Sequence, residues 1–146
     1  MDFLKTIFIM SLLMIAAAAE KKIKMQEMPA AVQQAVKDQS KGAVIRGFAQ
    51  KVENGKTLYE MELTVNGHAT DVTFDGMGKV VSVEEEVPLE SIAGPAREAI
   101  QKAVGKGKLQ KVESVTENGN SFYEASIRKA GKSSEIKVDA NGAPVK

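Results

Sequence analysis

Displaced by 64 residues, the chain aligns with itself without a gap, and this limits what it can fold into more than any other feature. Glu53-Asn54-Gly55 falls on Glu117-Asn118-Gly119, Tyr59-Glu60 on Tyr123-Glu124, Gly67 on Gly131, Asp75 on Asp139 and Gly78 on Gly142. Ala35 matches Ala99 and Val81 matches Val145, with Ile45/Leu109, Leu58/Phe122, Leu63/Ile127 and Val72/Ile136 as conservative pairs between them. Turn glycines and apolar positions therefore stay in phase, and one supersecondary unit should occur twice. A unit of 64 residues is marginal alone because it buries too little of its surface. The two units should share a core or run through one continuous sheet.

Each unit opens on a helix. After Pro29, Val32, Ala35, Val36 and Gln39 recur at helical spacing; in the second half Ile92, Ala96, Ala99, Ile100, Ala103 and Val104 do the same, with Pro95 starting or kinking that helix. Strands follow. Ala43 to Val52 leads through Asn54-Gly55 into Thr57 to Val65, where Tyr59, Met61, Leu63 and Val65 alternate with Glu60, Glu62 and Thr64. Asn66-Gly67 turns into a strand with Val72 and Phe74 inward and Asp71 outward, and Lys79 to Val83 closes the unit. The second half predicts strands at Lys108–Thr116, Ser121–Lys129, Lys132–Val138 and Ala143–Lys146. The reading is α+β: two tandem repeats, each a helix packed on a four-stranded antiparallel meander, with one sheet face apolar and the other polar.

Residues 1–19 read as a secretory signal peptide. Lys5 and the amino terminus supply positive charge, Thr6 to Ile15 the apolar stretch, and Ala16 to Ala19 the small-residue cleavage site, with cleavage expected after Ala19 and Ala18 as the next choice. The apolar run from Ile7 to Ala19 covers 13 residues. A membrane-spanning helix needs about 20. No stable membrane insertion is expected after cleavage, and the protein should be periplasmic or secreted. The repeats then occupy 20–87 and 88–146.

Composition excludes much chemistry. There is no cysteine, hence no disulfide, thiol nucleophile or thiolate metal site, and His68 is the one histidine. Twenty basic against 19 acidic side chains leave a net charge of +1, too small a field to favour nucleic acid or an anionic membrane. The balance is uneven along the chain: residues 20–87 carry nine basic and eleven acidic side chains, 88–146 ten and seven. No nucleotide loop or catalytic triad is present, and neither enzyme activity nor a cofactor is expected.

The residues Met28-Pro29-Ala30-Ala31-Val32, Tyr59-Glu60-Met61-Glu62-Leu63 and Val72-Thr73-Phe74-Asp75 with Gly78-Lys79-Val80 resemble the PepSY-like family, also described as beta-lactamase-inhibitor-like. Tyr123-Glu124-Ala125 and Ile136-Lys137-Val138-Asp139 with Gly142 repeat the pattern. The resemblance spans nearly all of 21–146. It implies tandem helix-on-sheet units in a small exported bacterial protein that binds or inhibits another protein, often an envelope enzyme. Beta-lactamase inhibitory proteins present aromatic-rich surfaces and disulfides; residues 20–146 hold five aromatics and no cysteine, and no inhibitory residue is carried over.

Strand alternation puts Glu60, Glu62, Asp71, Glu124, Arg128 and Lys137 on the polar face, as a charged surface for a protein partner in the cell envelope. The alternative is a periplasmic small-ligand or metal-ion binder. Asp75 and Asp139 lack the ligand pattern of a calcium loop and suit turns that bond their own backbone. Glu84-Glu85-Glu86 reads as a solvated strand exit and linker. His68 should sit exposed at a hairpin tip, and Met28 and Met61 should fill the core rather than hold copper. An open polar sheet offers no pocket that would shift the proton affinity of its carboxylates.

Overall fold

The computed structural model describes residues 19–146; the predicted signal peptide, its last residue apart, lies outside the described residues. The elements are β1 (Lys21–Lys22), α1 (Ala30–Gln39), β2 (Val44–Glu53), β3 (Lys56–Val65), β4 (His68–Phe74), β5 (Val80–Glu86), α2 (Gly94–Val104), β6 (Lys108–Glu117), β7 (Asn120–Lys129) and β8 (Lys132–Val138). The eight strands form one antiparallel sheet in chain order. Two-residue turns make this order the easy one. Asn54-Gly55, Asn66-Gly67, Asn118-Gly119 and Ala130-Gly131 all take positive φ, which matches the twist of the flanking strands.

Both helices cover one face. Val32 and Val36 of α1 pack with Ile23, Met28, Met61, Leu63, Val72 and Phe74 in one buried cluster. Ile100 and Ala96 of α2 pack with Ile92, Val112, Ala125 and Val138 in another. The sheet is continuous and the cores are two. Pro95 lies in the first turn of α2, where its missing N–H costs nothing, whereas Pro29 caps α1 from one residue outside it.

The two halves match in register. Val44 pairs with Thr64 as Lys108 pairs with Arg128, and Tyr59 with Phe74 as Tyr123 with Val138, every pair displaced by 64. Each half has a bulge at the same place, between Ile45 and Gly47 and between Leu109 and Lys111. Gly78 and Gly142 mark a shared close approach: a Cβ on Gly78 would lie 2.5 Å from the Ala31 carbonyl oxygen, and one on Gly142 2.6 Å from that of Pro95.

The helix-plus-four-strand expectation fails in the second half. Ala143–Lys146 forms no strand beyond a single bridge between Val138 and Pro144, because proline cannot donate to a ladder. In the first half β5 runs on to Glu86, past the expected end at Val83, and its second half has another partner. Glu85 and Glu86 face Ser114 and Glu113 of β6 as Lys21 and Lys22 face Gln50 and Ala49 of β2. Ile23 donates to the Phe48 carbonyl at 3.1 Å and Val87 to that of Val112 at 3.0 Å. One strand therefore ends the first half and leads into the second.

Candidate functional site: the open face of the sheet

The face away from the helices carries an array of ion pairs built by pleat and bulge. Along β3, Glu60 and Glu62 alternate with inward Met61 and Leu63. In β2 and β6 the bulge adds one residue and reverses the phase, so Ile45 and Phe48 both lie on the helix side and Gly47, Ala49 and Lys51 fall outside. Lys111, Glu113 and Val115 take the matching places on β6. Lys51 Nζ then stands 3.2 Å from Glu53 Oε1 and 3.7 Å from Glu60 Oε2. Lys22 reaches Glu62 at 3.6 Å, Arg46 reaches Asp71 at 3.4 Å, Lys111 reaches Glu113 at 2.7 Å and Lys137 reaches Glu124 at 3.2 Å. Lys137 also stands 5.2 Å from the ring centre of Phe122, the aromatic on this face.

Though uncovered, the face is not fully wet. Long side chains lie across small neighbours, so Ala49, Thr73 and Ser82 are buried and Glu113 is only 6% exposed. Burial in turn changes proton affinities. Burial raises the Glu60 carboxyl to about 7, and the charges of Glu20, Asp71 and Glu84 add to this against Lys51. Burial also raises Glu84, with Glu113 and Glu124 behind it, and raises Asp71 against the nearby Arg46. Burial works to lower Lys51, but Glu53, Glu60 and Glu84 together outweigh it and hold its ammonium above the ordinary lysine range. The expectation that an open sheet leaves its carboxylates unshifted is therefore wrong: eight strands are wide enough for the side chains to bury one another.

Of the residues expected here, Glu60, Glu62, Asp71, Glu124 and Lys137 come together on the one face. Arg128 shares the face of β7 but lies at its far end, opposite Lys108 and Ser133 and outside the ion-pair array. Sequence reading missed Lys22, Arg46, Lys51, Lys111 and Glu113; the bulges that reverse the phase leave no mark in a period-two pattern. It also misplaced Glu84, which is a half-buried member of β5 opposite Asp71 and Val115 rather than part of a solvated linker.

Elsewhere the chemistry is structural. Asp75 accepts from the Met77 and Lys79 amides at 2.9 and 3.0 Å, and Asp139 from those of Asn141 and Ala143 at 2.9 Å each. Among the described residues no three His, Asp or Glu side chains are grouped to hold a metal ion. His68 is exposed, Met28 and Met61 are in the core, and Met77 is 85% exposed. Two shallow clefts of about 280 and 510 Å³ lie at the end of the sheet where Asn54, Asp75 and Asn118 turn, not between helix and sheet.

No family model and no curated protein matches the chain. Solved structures do. One from Bacteroides eggerthii, described as periplasmic, has a TM-score of 0.68 at 19% identity, covering 82% of this chain and 86% of its own. A DUF2874 family protein from Bacteroides uniformis gives 0.66 at 22%, covering 81% and 86%. A BLIP-like protein from Bacteroides fragilis gives 0.62 at 14%, covering 82% and 84%. The fold is BLIP-like. The second and third bear the DUF2874 and BLIP-like descriptions, and none of the three bears the PepSY-like one that the sequence motifs suggest. No helix among the described residues is long and apolar enough to cross a membrane.

Proposed function

We propose that this BLIP-like protein is an exported, non-enzymatic binding module that engages a cationic surface of an envelope protein through the open face of its sheet, inhibiting or escorting that partner. In this reading residues 1–19 are its signal peptide, 20–87 and 88–146 its two PepSY-like repeats, and the periplasm its compartment, as described for the Bacteroides eggerthii protein of similar fold. The observation that carries the reading is the carboxylate array. Glu60, Glu62, Asp71, Glu84 and Glu124 in half-buried positions and buried Glu113 crowd the face, answered there by Lys22, Arg46, Lys51, Lys111 and Lys137. Burial raises Glu60 and Glu84 first and neighbouring carboxylates raise them further; a cationic partner would offset the second of these. The area suffices: seven strand spacings give a width of about 34 Å, and strands of about 25 Å length give roughly 800 Å², the share of one partner in a stable interface.

Glutamine is the suitable replacement, since a lysine at position 60 would face Lys51. Capture of envelope proteins on the immobilised protein should weaken with Glu60→Gln and Glu62→Gln together and with added salt, while thermal unfolding shows the variant folded. Equal capture by the double variant at low salt would refute the sheet face as the contact surface.

A further inference from the structure

We propose that the end of the sheet formed by the α2–β6 loop and the β7–β8 hairpin docks on an anionic phospholipid surface. Lys108 stands directly opposite Arg128 and Lys129 directly opposite Lys132. Like charges in cross-strand pairs repel and destabilise a hairpin. Among the described residues no ion pair involves Lys102, Lys106, Lys108, Arg128, Lys129 or Lys132. Packing gathers the charges further. A Cβ on Gly107 would lie 2.8 Å from the Arg128 carbonyl oxygen and 3.2 Å from Lys129 Cβ, so only glycine lets the loop rest on the hairpin. Gly105 and Gly107, which flank Lys106, thereby rest against the hairpin, with Lys129 Nζ 3.6 Å from the Cβ position of Gly105.

The fold does not demand these cations. Sixty-four residues earlier, the same register positions hold Val44, Thr64, Val65 and His68. There Val44 and Ile45 are 67% and 40% exposed, at the same end of the sheet as the cations. Four strand spacings, about 19 Å, separate β2 from β6. Both clefts described above lie at the opposite end of the sheet. Unpaired lysines on a hairpin tip, with exposed aliphatic side chains across the same end, fit a broad anionic plane with an apolar layer beneath it. Export would bring the chain alongside such a surface, but the binding needs no partner on the sheet face and can fail or succeed independently of it.

Co-sedimentation with phosphatidylglycerol vesicles, against phosphatidylcholine vesicles, tests the proposal. The protein should bind the anionic vesicles at low salt and release with added salt. Each cation removed should weaken binding about five-fold, so Lys129→Gln with Lys132→Gln should cost roughly 25-fold. That pair also removes a repulsion, so the variant should melt no lower than the parent. Lys56→Gln with Lys79→Gln, at the opposite end, and Glu60→Gln with Glu62→Gln should leave vesicle binding intact. Equal binding to both lipids, equal binding by the Lys129/Lys132 variant, or salt-dependent self-association without vesicle binding would each overturn it.

Discussion

The two halves share a backbone and differ in what they display. At one end of the sheet, the first half shows Val44, Thr64, Val65 and His68 where the second shows Lys108, Arg128, Lys129 and Lys132. On the open face, Glu60 and Glu124 are equivalent, but the lysine that answers Glu60 is Lys51 of β2 and the one that answers Glu124 is Lys137 of β8. The matching positions, Val115 and Thr73, are uncharged. Register, bulges and close approaches are fixed by packing and sterics, which tolerate little; exposed side chains are free to diverge. Surface specialisation on a repeated backbone is the consequence.

If the backbone repeat is as strict as the register indicates, Gly78→Ala and Gly142→Ala should destabilise alike. Each would force a Cβ into a helix carbonyl at positive φ, and each should cost about 2–4 kcal/mol in chemical denaturation. Clearly unequal losses would break the comparison. Gly119→Ala, at positive φ with nothing within 4 Å, should cost only about 1 kcal/mol.

The open face gives a smaller, pH-dependent effect. Glu60 holds its proton to about pH 7 in the folded chain, against 4.5 for an ordinary glutamate in water. The folded state therefore binds more protons between these values. Stability is greatest below the lower value and falls as pH rises through the window. Glu60→Gln should flatten that slope and stabilise the protein at pH 8 by on the order of 1–2 kcal/mol, solvent screening having cut the full linkage value. A melting temperature with unchanged pH dependence would show that the carboxylate ionises freely.

The smallest effect separates two hairpin tips. Asn66 and Ala130 occupy equivalent turn positions at φ of 51° and 49°. Asparagine tolerates the left-handed region and alanine does not. Ala130→Asn should stabilise by about 0.5–1 kcal/mol in thermal unfolding, whereas Asn66→Ala should lose a similar amount.

Much of this architecture was legible. The Asn-Gly pairs, the period-two runs of β3 and β4 and the helical spacing around Val32 and Ile100 are local signals, and each marks its element to within a residue or two. Glu60, Glu62, Asp71, Glu124 and Lys137 could be placed on one face because alternation along an unbroken strand is a local property too. Lys51 and Lys111 could not, because a bulge is one extra residue that only the pairing partner reveals. Nor could Glu84 be recognised: burial raises its proton affinity first, and Glu113 and Glu124 add to this only once β5 pairs with β6 and the two halves become one sheet. The sequence by itself determined the repeat, the turns and the apolar stripe of each half, since these follow from steric preference and burial within short stretches. The tertiary structure alone decided that β5 would serve both halves, that the carboxylates would crowd, and that Gly107 would rest on Arg128 and Lys129. Those are distances between residues remote in the chain, set by which strand edges meet.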